Sequence, residues 1–293
     1  RQRQMCIRDR FRAKENGRHC FQFYKPEMSV NAMERLELEN SMRKALDEDQ
    51  FVIFYQPTID IHKNEIVGVE ALLRWDHPDK GIIKPSDFVP LAEDCGLIVP
   101  IGEKLIRIVA KQLRVWKDEG IEDQNVSINI AARQFRDADI LALFKEVIHE
   151  NELEYSNFTI EVTENALINN VGEVETVLNT LSGLGMTVAL DDFGTGFASL
   201  AYLKDYPVDI VKIDRMYIDG TPDSREDTAI VEAIAGLTRG LRLRLLAEGI
   251  ENERQLQMLK GLGCQLAQGY YWSKALPADQ YEQFYLNRFY NMG

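Results

Sequence analysis

The sequence predicts an α/β protein built as a closed (β/α)₈ barrel. Strand-like and helix-like segments alternate from residue 51 to residue 289. The strand-like segments are apolar on both faces, which is typical of a parallel sheet covered by helices. They number about eight, and no glycine-rich dinucleotide fingerprint follows the first of them. A closed barrel is therefore favoured over an open, doubly wound sheet.

Periodicity and turn residues predict the elements in order. A helix at 29–49 carries an apolar stripe at helical spacing and connects the barrel to whatever precedes it. The predicted strands lie at 51–57, 65–75, 126–131, 158–164, 187–193, 208–214, 243–250 and 264–268. The predicted helices lie at 104–117, 140–149, 171–184, 198–202, 226–238, 253–261 and 278–289. A turn at Lys63 and Asn64 separates the first two strands, so this pair is compatible with an antiparallel hairpin.

Composition excludes several classes of protein. Hydrophobic residues make up 45% of the chain and charged residues 28%, which indicates a globular protein rather than a disordered one. A net charge of −13 argues against wrapping long nucleic acid, although a small nucleotide held by metal ions stays compatible. The 4 cysteines are scattered without a CxxC pair, which argues against a disulfide framework or a zinc site and favours the cytoplasm. No apolar run approaches the roughly 20 residues that span a bilayer.

The first residues of the chain are interpreted separately from the barrel at 50–293. Residues 5–10 read MCIRDR, which resembles a translated sequencing-adaptor read, so residues 1–10 are expected to be an assembly scar. The true protein is then expected to extend upstream, where further segments could tether it to the inner membrane. Residues 11–28 end in a short aromatic segment that is too small to bury a core alone.

Polar side chains recur at or near the carboxyl ends of the predicted strands. In a barrel these ends converge on one mouth, where active sites are built. A single buried carboxylate has a simple explanation, such as a helix cap or an ion pair. Acids on successive strands need a counter-charge, because crowded carboxylates repel one another and lose hydration. The recurring residues are Glu70, Asn129, Glu161, Asp191, Asp192, Lys212, Asp214, Glu248 and Gln268.

These residue types predict a divalent-metal site. Glu, Asp and Asn supply oxygen ligands, which favour Mg²⁺ or Mn²⁺ over zinc. Asp191 and Asp192 are adjacent at a strand end and can serve two metals, as in two-metal phosphoryl transfer. Lys212 adds a fixed cation that could orient water or offset developing negative charge. Gly194 and Gly196 then suit either a mobile loop or a plain turn.

Eight motifs in order resemble the EAL family of cyclic-di-GMP phosphodiesterases, over about residues 46–290. They are Gln56-Pro57, EALLRW at 70–75, Asn129, EVTE at 161–164, DDFGTG at 191–196, KID at 212–214, EGIE at 248–251 and Gln268-Gly269. The resemblance implies a modified barrel whose first strand is antiparallel, and hydrolysis of cyclic di-GMP to linear pGpG with two Mg²⁺ or Mn²⁺ ions. Residues 11–28 resemble the C-terminal tail of a GGDEF domain, so upstream GGDEF or sensory domains are expected in the parent protein.

The resemblance also implies a role for each site residue. Glu70, Asn129, Glu161 and Asp191 are expected to hold one metal, and Asp191 with Asp192 the second. Glu248 is expected close to the metals, Lys212 at the attacking water, and Glu251 in support of Lys212. Arg74 is expected to bind a substrate phosphate, and Gln56, Asp214 and Gln268 to line the dinucleotide pocket. Glu164 is expected to anchor the DDFGTG loop, and that loop and the following helix are expected to form a homodimer contact.

Two other functions remain open at the level of sequence. A receptor module would bind the nucleotide without hydrolysing it, although intact metal-ligand positions count against this. An unrelated barrel metalloenzyme would act on another phosphate or on an enolisable acid, although the eight ordered motifs count against that.

Overall fold

A computed structural model describes residues 26–121, 124–169, 171–194 and 202–290. The chain divides into two compact units, residues 1–44 and 45–293. The described part of the first unit is helical. Within the described residues, no helix is long and apolar enough to cross a membrane.

The described elements alternate as predicted. The strands are β1 Phe51–Asp60, β2 Glu65–His77, β3 Gly81–Ile83, β4 Val126–Asn129, β5 Phe158–Thr163, β6 Thr187–Phe193, β7 Ile210–Ile213, β8 Arg244–Ala247 and β9 Leu266–Ala267. The helices are α1 Pro26–Asp47, α2 Pro85–Cys95, α3 Ile98–Asp118, α4 Ala132–Asp137, α5 Ile140–Glu150, α6 Glu164–Asn169, α7 Val171–Gly183, α8 Tyr202–Asp205, α9 Arg215–Ile218, α10 Arg225–Leu241, α11 Glu253–Leu262 and α12 Ala278–Tyr290. A 3₁₀ turn at Tyr155–Asn157 precedes β5.

The predicted fold class is confirmed. The 9-stranded sheet has the order β1-β9-β8-β7-β6-β5-β4-β2-β3, and β1 also pairs with β2, which closes the barrel. β1 is antiparallel to both β2 and β9, whereas β2 and β4 to β9 pair in parallel. The predicted hairpin is present, and Asn64 turns it with a φ of 59°. A short strand, β3, pairs with the end of β2 outside the barrel.

Local sequence explains where several elements begin and end. α3 buries one apolar stripe that includes Ile101, Leu105 and Val109, spaced by one turn, because these side chains face the barrel strands. α11 begins with a capping box between Asn252 and Gln255, and Gly263 ends it in the left-handed conformation.

Some predicted boundaries differ from the structure. α2, α4, α6 and α9 were not predicted, and α3 begins at Ile98 rather than at residue 104. Strands predicted at 208–214 and 243–250 end at Ile213 and Ala247, because the polar residues that follow leave the sheet. The short helix predicted at 198–202 falls mostly outside the described residues, and the structure has a helix at Tyr202–Asp205.

Candidate active site

Parallel pairing brings the predicted acids to one end of the barrel. Asn129 is paired with Glu161, and Thr163 is paired with Asp191. Glu70 lies on β2 beside β4, and Asn129 donates its Nδ2 to Glu70 Oε1 at 2.8 Å. The prediction that strand ends gather these residues is therefore supported for β2, β4, β5 and β6.

Lys212 is the centre of this group. Its side chain is fully buried, and its Nζ lies 2.7 Å from Glu161 Oε2 and 3.2 Å from Asp191 Oδ2. Glu248 Oε1 is also 2.7 Å away, and Glu70 Oε2 is 3.5 Å away. Four carboxylates, three on β2, β5 and β6 and one just after β8, thus converge on one ammonium, an arrangement that we call the Lys212 cluster.

The cluster perturbs the titration of its members. Burial raises the pKa of Glu161 well above its ordinary value, and Glu70 and Asp191 raise it further, while Lys212 opposes the shift. Burial likewise raises the pKa of Glu248 to about 8, although Lys212 again opposes it. Burial alone would lower the pKa of Lys212, but the four carboxylates outweigh it and the pKa lies well above its ordinary range. The lysine therefore stays charged.

The donor set of the cluster fits a hard divalent cation. Four carboxylates and the Asn129 amide supply oxygen ligands of the kind that Mg²⁺ and Mn²⁺ prefer. One ammonium offsets only one of the four carboxylate charges, so further positive charge would be stabilising. The side chains now point at Lys212, and within the described residues no three His, Cys, Asp or Glu side chains already surround a common cation position. Metal binding would therefore require some carboxylates to turn from the lysine.

The two aspartates at the end of β6, Asp191 and Asp192, differ in their contacts and backbone conformation. Asp191 accepts a hydrogen bond from the backbone N–H of Asp192 at 2.9 Å. Asp192 has a φ of 55°, a left-handed conformation, and pairing with β7 is irregular at this point. Burial raises the pKa of Asp192 to about 6, and Asp191 and Asp214 raise it as well. Asp191 thus faces Lys212, whereas Asp192 lies beside Asp214, and a role for the pair in holding two metals stays a prediction. Residues 195–201 of the following loop lie outside the described part.

Three residues predicted to contact substrate have structural contacts of their own. Arg74 Nη1 donates to Leu73 O at 2.7 Å, and its guanidinium lies 5.6 Å from the Phe54 ring centroid. Asp214 caps α9, because its Oδ1 accepts from the N–H of Met216 at 2.7 Å. Gln56 Nε2 makes only a long contact, 3.5 Å, with Ser273 O. These roles stay predictions.

Three further predicted residues differ in their surroundings. Gln268 is buried and donates its Nε2 to Thr58 Oγ1 at 3.0 Å. Glu251 is 43% exposed and pairs with Arg215 at 2.7 Å, while Lys212 is surrounded by the other four acids. Glu164 is buried, and its two carboxylate oxygens have no hydrogen-bond partner among the described residues. The predicted partner of Glu164, the loop after Gly194, lies largely outside those residues.

Tyr270 was not among the residues that the sequence predicted for the site. Its ring is exposed just beyond β9, with Lys274 Nζ 5.2 Å and the Arg215 guanidinium 5.8 Å from the ring centroid. An exposed aromatic ring between cations is suited to stacking on a planar, negatively charged ligand. The available signal was its position, because Tyr270 directly follows the Gln268-Gly269 motif.

Comparison with known protein families identifies the domain. The family model described as "EAL domain" matches residues 39–275. The chain belongs to the EAL domain family. The bifunctional diguanylate cyclase/cyclic di-GMP phosphodiesterase MucR of Pseudomonas aeruginosa is 40% identical over 270 residues, which are 92% of this chain and 39% of that protein. The cyclic di-GMP phosphodiesterase PdeR of Escherichia coli is 39% identical over 275 residues, 94% of this chain and 41% of that protein.

Solved structures of EAL domains have the same fold. The PaMucR phosphodiesterase in its c-di-GMP complex is 40% identical with a TM-score of 0.79, over 83% of this chain and 99% of that one. The EAL enzyme Bd1971, in its cAMP- and cyclic-di-GMP-bound form, is 30% identical with a TM-score of 0.84, over 96% of this chain and 75% of that one. The chain spans only about two fifths of the curated relatives MucR and PdeR.

Proposed function

We propose that this EAL domain hydrolyses one phosphodiester bond of cyclic di-GMP to give linear pGpG, with two Mg²⁺ or Mn²⁺ ions. The observation that carries the proposal is the Lys212 cluster, an oxygen-rich acidic site at the mouth of the barrel. EAL phosphodiesterases generally depend on divalent metals. The relatives named above as cyclic di-GMP phosphodiesterases support the substrate.

The chain's own residues have distinct roles in this reaction. Glu70, Asn129, Glu161, Asp191 and Asp192 would hold the metals, with Glu248 beside them. Bound metals would stabilise negative charge on the attacking and leaving oxygens. Arg74 is only partly buried, so its guanidinium can reach a phosphate and bind it with its fork of donors.

Water attack requires that a proton leaves the water and that one reaches the departing 3′ oxygen. Lys212 would orient the water once some of the carboxylates that now hold its Nζ turn to the metals. Glu248 is the most exposed of the four partners, so we assign to it the uptake of the proton that leaves the water. We propose, as the resemblance implies, that Glu251 supports Lys212 during the reaction, although its carboxylate pairs with Arg215 here.

Turnover with purified protein tests the proposal. We expect cyclic di-GMP to be converted to pGpG in Mg²⁺ or Mn²⁺, with no product in EDTA, by chromatography of the nucleotides. Glu70→Ala should abolish turnover and keep the fold. Glu146→Gln is the matched control, because Glu146 forms a surface ion pair with Arg107 away from the cluster. Binding without turnover in either metal would favour a receptor module, and hydrolysis of another phosphate alone would favour a different metalloenzyme.

We infer three further properties of the parent protein from sequence. The segment 11–28, which resembles the tail of a GGDEF domain, lies outside the described residues except for 26–28, and most of the loop that is expected to form the homodimer contact also lies outside them. Multi-angle light scattering of the chain, with and without nucleotide, tests the dimer.

A cytoplasmic location rests on the cysteine pattern, and in the described part Cys95 and Cys264 are free thiols. Fractionation of cells that express the full-length parent tests it.

A further inference from the structure

Tyr217 of α9 contacts the backbone just after the end of β6. Its hydroxyl donates a hydrogen bond to Gly194 O at 2.6 Å. Gly194 has a φ of 93° and directly follows Phe193, the last residue of β6. Asp192, with a φ of 55°, lies only two residues before this carbonyl. Tyr217 therefore holds the backbone beside a residue that is predicted to bind metal.

The ring of Tyr217 packs against the same stretch of backbone. A Cβ built on Gly194 would lie 3.5 Å from Cε2 of Tyr217 and 3.7 Å from Cδ1 of Ile234. Ile234 is a buried residue of α10, and Tyr217 is half-buried. Because its ring is already packed, the hydroxyl of Tyr217 loses little conformational entropy when it binds the carbonyl.

A second set of contacts connects Tyr217 to the side chain of Asp192. The N–H of Tyr217 donates to Asp214 O at 3.1 Å, in the first turn of α9. Asp214 Oδ1 accepts from the N–H of Met216 at 2.7 Å, and the side chains of Asp214 and Asp192 share a hydrogen bond. The same turn of helix thus holds both the side chain of Asp192 and the backbone beyond it.

The backbone at Asp192 needs support of this kind. Regular pairing between β6 and β7 is interrupted between Leu190 and Phe193. A left-handed conformation is unfavourable for a residue other than glycine, so it persists only where the surrounding structure holds it. The hydrogen bond from Tyr217 to Gly194 supplies a contact on the far side of this interruption.

We propose that Tyr217 is a positioning residue for Asp192: its hydroxyl holds the backbone at Gly194, so that the Asp192 carboxylate is directed towards the second divalent cation. A ligand that is oriented before the cation arrives binds it more tightly, because less freedom is lost on binding. The inference rests on the proposed role of Asp192 as a metal ligand. It assigns to Tyr217 no contact with metal or substrate.

Tyr217→Phe tests the proposal, because it removes the hydroxyl and keeps the ring. In titration calorimetry of the full chain with Mn²⁺, the second ion should bind about threefold to tenfold more weakly, the range expected for the loss of one hydrogen bond. The affinity for the first ion should not change. Turnover of cyclic di-GMP should fall at low Mn²⁺ and recover at saturating Mn²⁺.

Tyr281→Phe is the matched control. It also removes one hydroxyl, which donates to Gln124 Oε1 away from the acidic site. Both Mn²⁺ affinities should then equal those of the parent chain, so a general effect of a lost tyrosine hydroxyl is separated from an effect on Asp192.

A double variant tests whether Tyr217 acts through Asp192. In Asp192→Asn the carboxylate that Tyr217 positions is absent. Adding Tyr217→Phe to Asp192→Asn should therefore leave the Mn²⁺ titration of that chain unchanged.

Four results would overturn the proposal: an unchanged affinity for the second ion in Tyr217→Phe, an equal loss of affinity for both ions, a further loss when Tyr217→Phe is added to Asp192→Asn, or turnover that does not recover at saturating Mn²⁺. An equal loss for both ions would show a purely structural role. A chain that binds Mn²⁺ as described without hydrolysing cyclic di-GMP would contradict the proposed function alone.

Discussion

The ammonium of Lys212 lies in the interior of the barrel because four carboxylates make its charge favourable there. Burial penalises an isolated ammonium strongly, and each carboxylate would be equally unfavourable without it. The residues therefore depend on one another, and removal of the single cation affects all four acids.

Lys212→Met is expected to abolish turnover and to destabilise the metal-free protein by about 3–5 kcal/mol, since it leaves buried carboxylates unpaired. Mg²⁺ should recover part of that loss, because it replaces the missing positive charge. Urea unfolding in EDTA and in Mg²⁺ measures both effects, with Lys111→Met as the control on the exposed face of α3. Unchanged stability in EDTA would contradict this view of the cluster.

Asp192 has a left-handed backbone conformation and also carries a carboxylate, and two substitutions distinguish the effects of these two properties. Its φ of 55° is a conformation that Asn also tolerates well and that Ala disfavours. We expect Asp192→Asn to keep the stability within about 0.5 kcal/mol, as for substitutions that create no strain. We expect Asp192→Ala to cost about 1–2 kcal/mol.

Both variants should weaken the second metal, because both remove the carboxylate. Isothermal titration with Mn²⁺ measures that loss, and urea unfolding measures the stability. If Asp192→Asn binds two Mn²⁺ ions as tightly as the parent chain, Asp192 is not a ligand.

At the scale of elements, α9 depends on the residue that was predicted to bind substrate. Asp214 accepts from the Met216 N–H, which is the hydrogen bond of a helix N-cap. We expect Asp214→Ala to destabilise the protein by about 1 kcal/mol, whereas Asp214→Asn should keep the cap. A substrate role predicts a raised KM in both variants, and a purely capping role predicts that Asn restores the parent KM. Steady-state kinetics with cyclic di-GMP distinguishes the two.

The sequence predicted long elements better than short ones, for physical reasons. α10 and the β1–β2 hairpin have strong periodicity and clear turn residues, so they could be located. α9 has only four residues and no room for a periodic pattern, and a Pro90 inside α2 hides that helix. Periodicity therefore fails where an element is shorter than two turns or contains a residue that usually ends a helix.

The sequence likewise predicted only part of the arrangement of the site residues. Strand-end position was enough to predict that Glu70, Glu161 and Asp191 meet, because pairing in a parallel sheet aligns those ends. It could not predict that Glu251 would pair with Arg215, since Glu251 lies in a loop of unknown direction and Arg215 begins α9, which was not predicted. The position of Lys212 at the centre of four acids also depends on side-chain directions that sequence spacing does not contain.

At the scale of the whole molecule, the closed barrel needs a helix that packs against β1. β1 leads through a hairpin into β2 and has no helix after it, so α12 from the end of the chain packs against it. Tyr281 of α12 is fully buried and lies 5.0 Å from the Trp116 ring centroid, and its hydroxyl donates to Gln124 Oε1 at 2.7 Å. The last helix thus belongs to the core of the barrel domain.

Tyr281→Ala is expected to destabilise the protein by about 3–5 kcal/mol, because it removes a large buried ring. Tyr281→Phe is the matched control and should cost about 1 kcal/mol, the value of one buried hydrogen bond. Urea unfolding of both variants in Mg²⁺ measures this difference. Similar losses for the two variants would mean that the ring does not pack as tightly as the contacts indicate.

The stability of the metal-free protein should also depend on pH in a definite direction. Burial raises the pKa of Glu248 to about 8, of Asp192 to about 6, and of Glu161 well above its ordinary value. Between about pH 5 and pH 8 the folded state therefore holds more protons than the unfolded chain, and the free energy of unfolding falls as pH rises. Each such proton contributes a slope of at most about 1.4 kcal/mol per pH unit.

Divalent cations should flatten that dependence, because a bound cation favours the ionised carboxylates and releases their protons. Lys212 does not contribute in this window, since its pKa lies well above 10.5. Urea unfolding at pH 5.5, 6.5, 7.5 and 8.5, in EDTA and in Mg²⁺, measures both curves, and Glu248→Gln should reduce the slope in EDTA. A free energy of unfolding that rises with pH in EDTA would show that the carboxylates are ionised in the folded protein without metal, and that Lys212 alone is enough to hold them together.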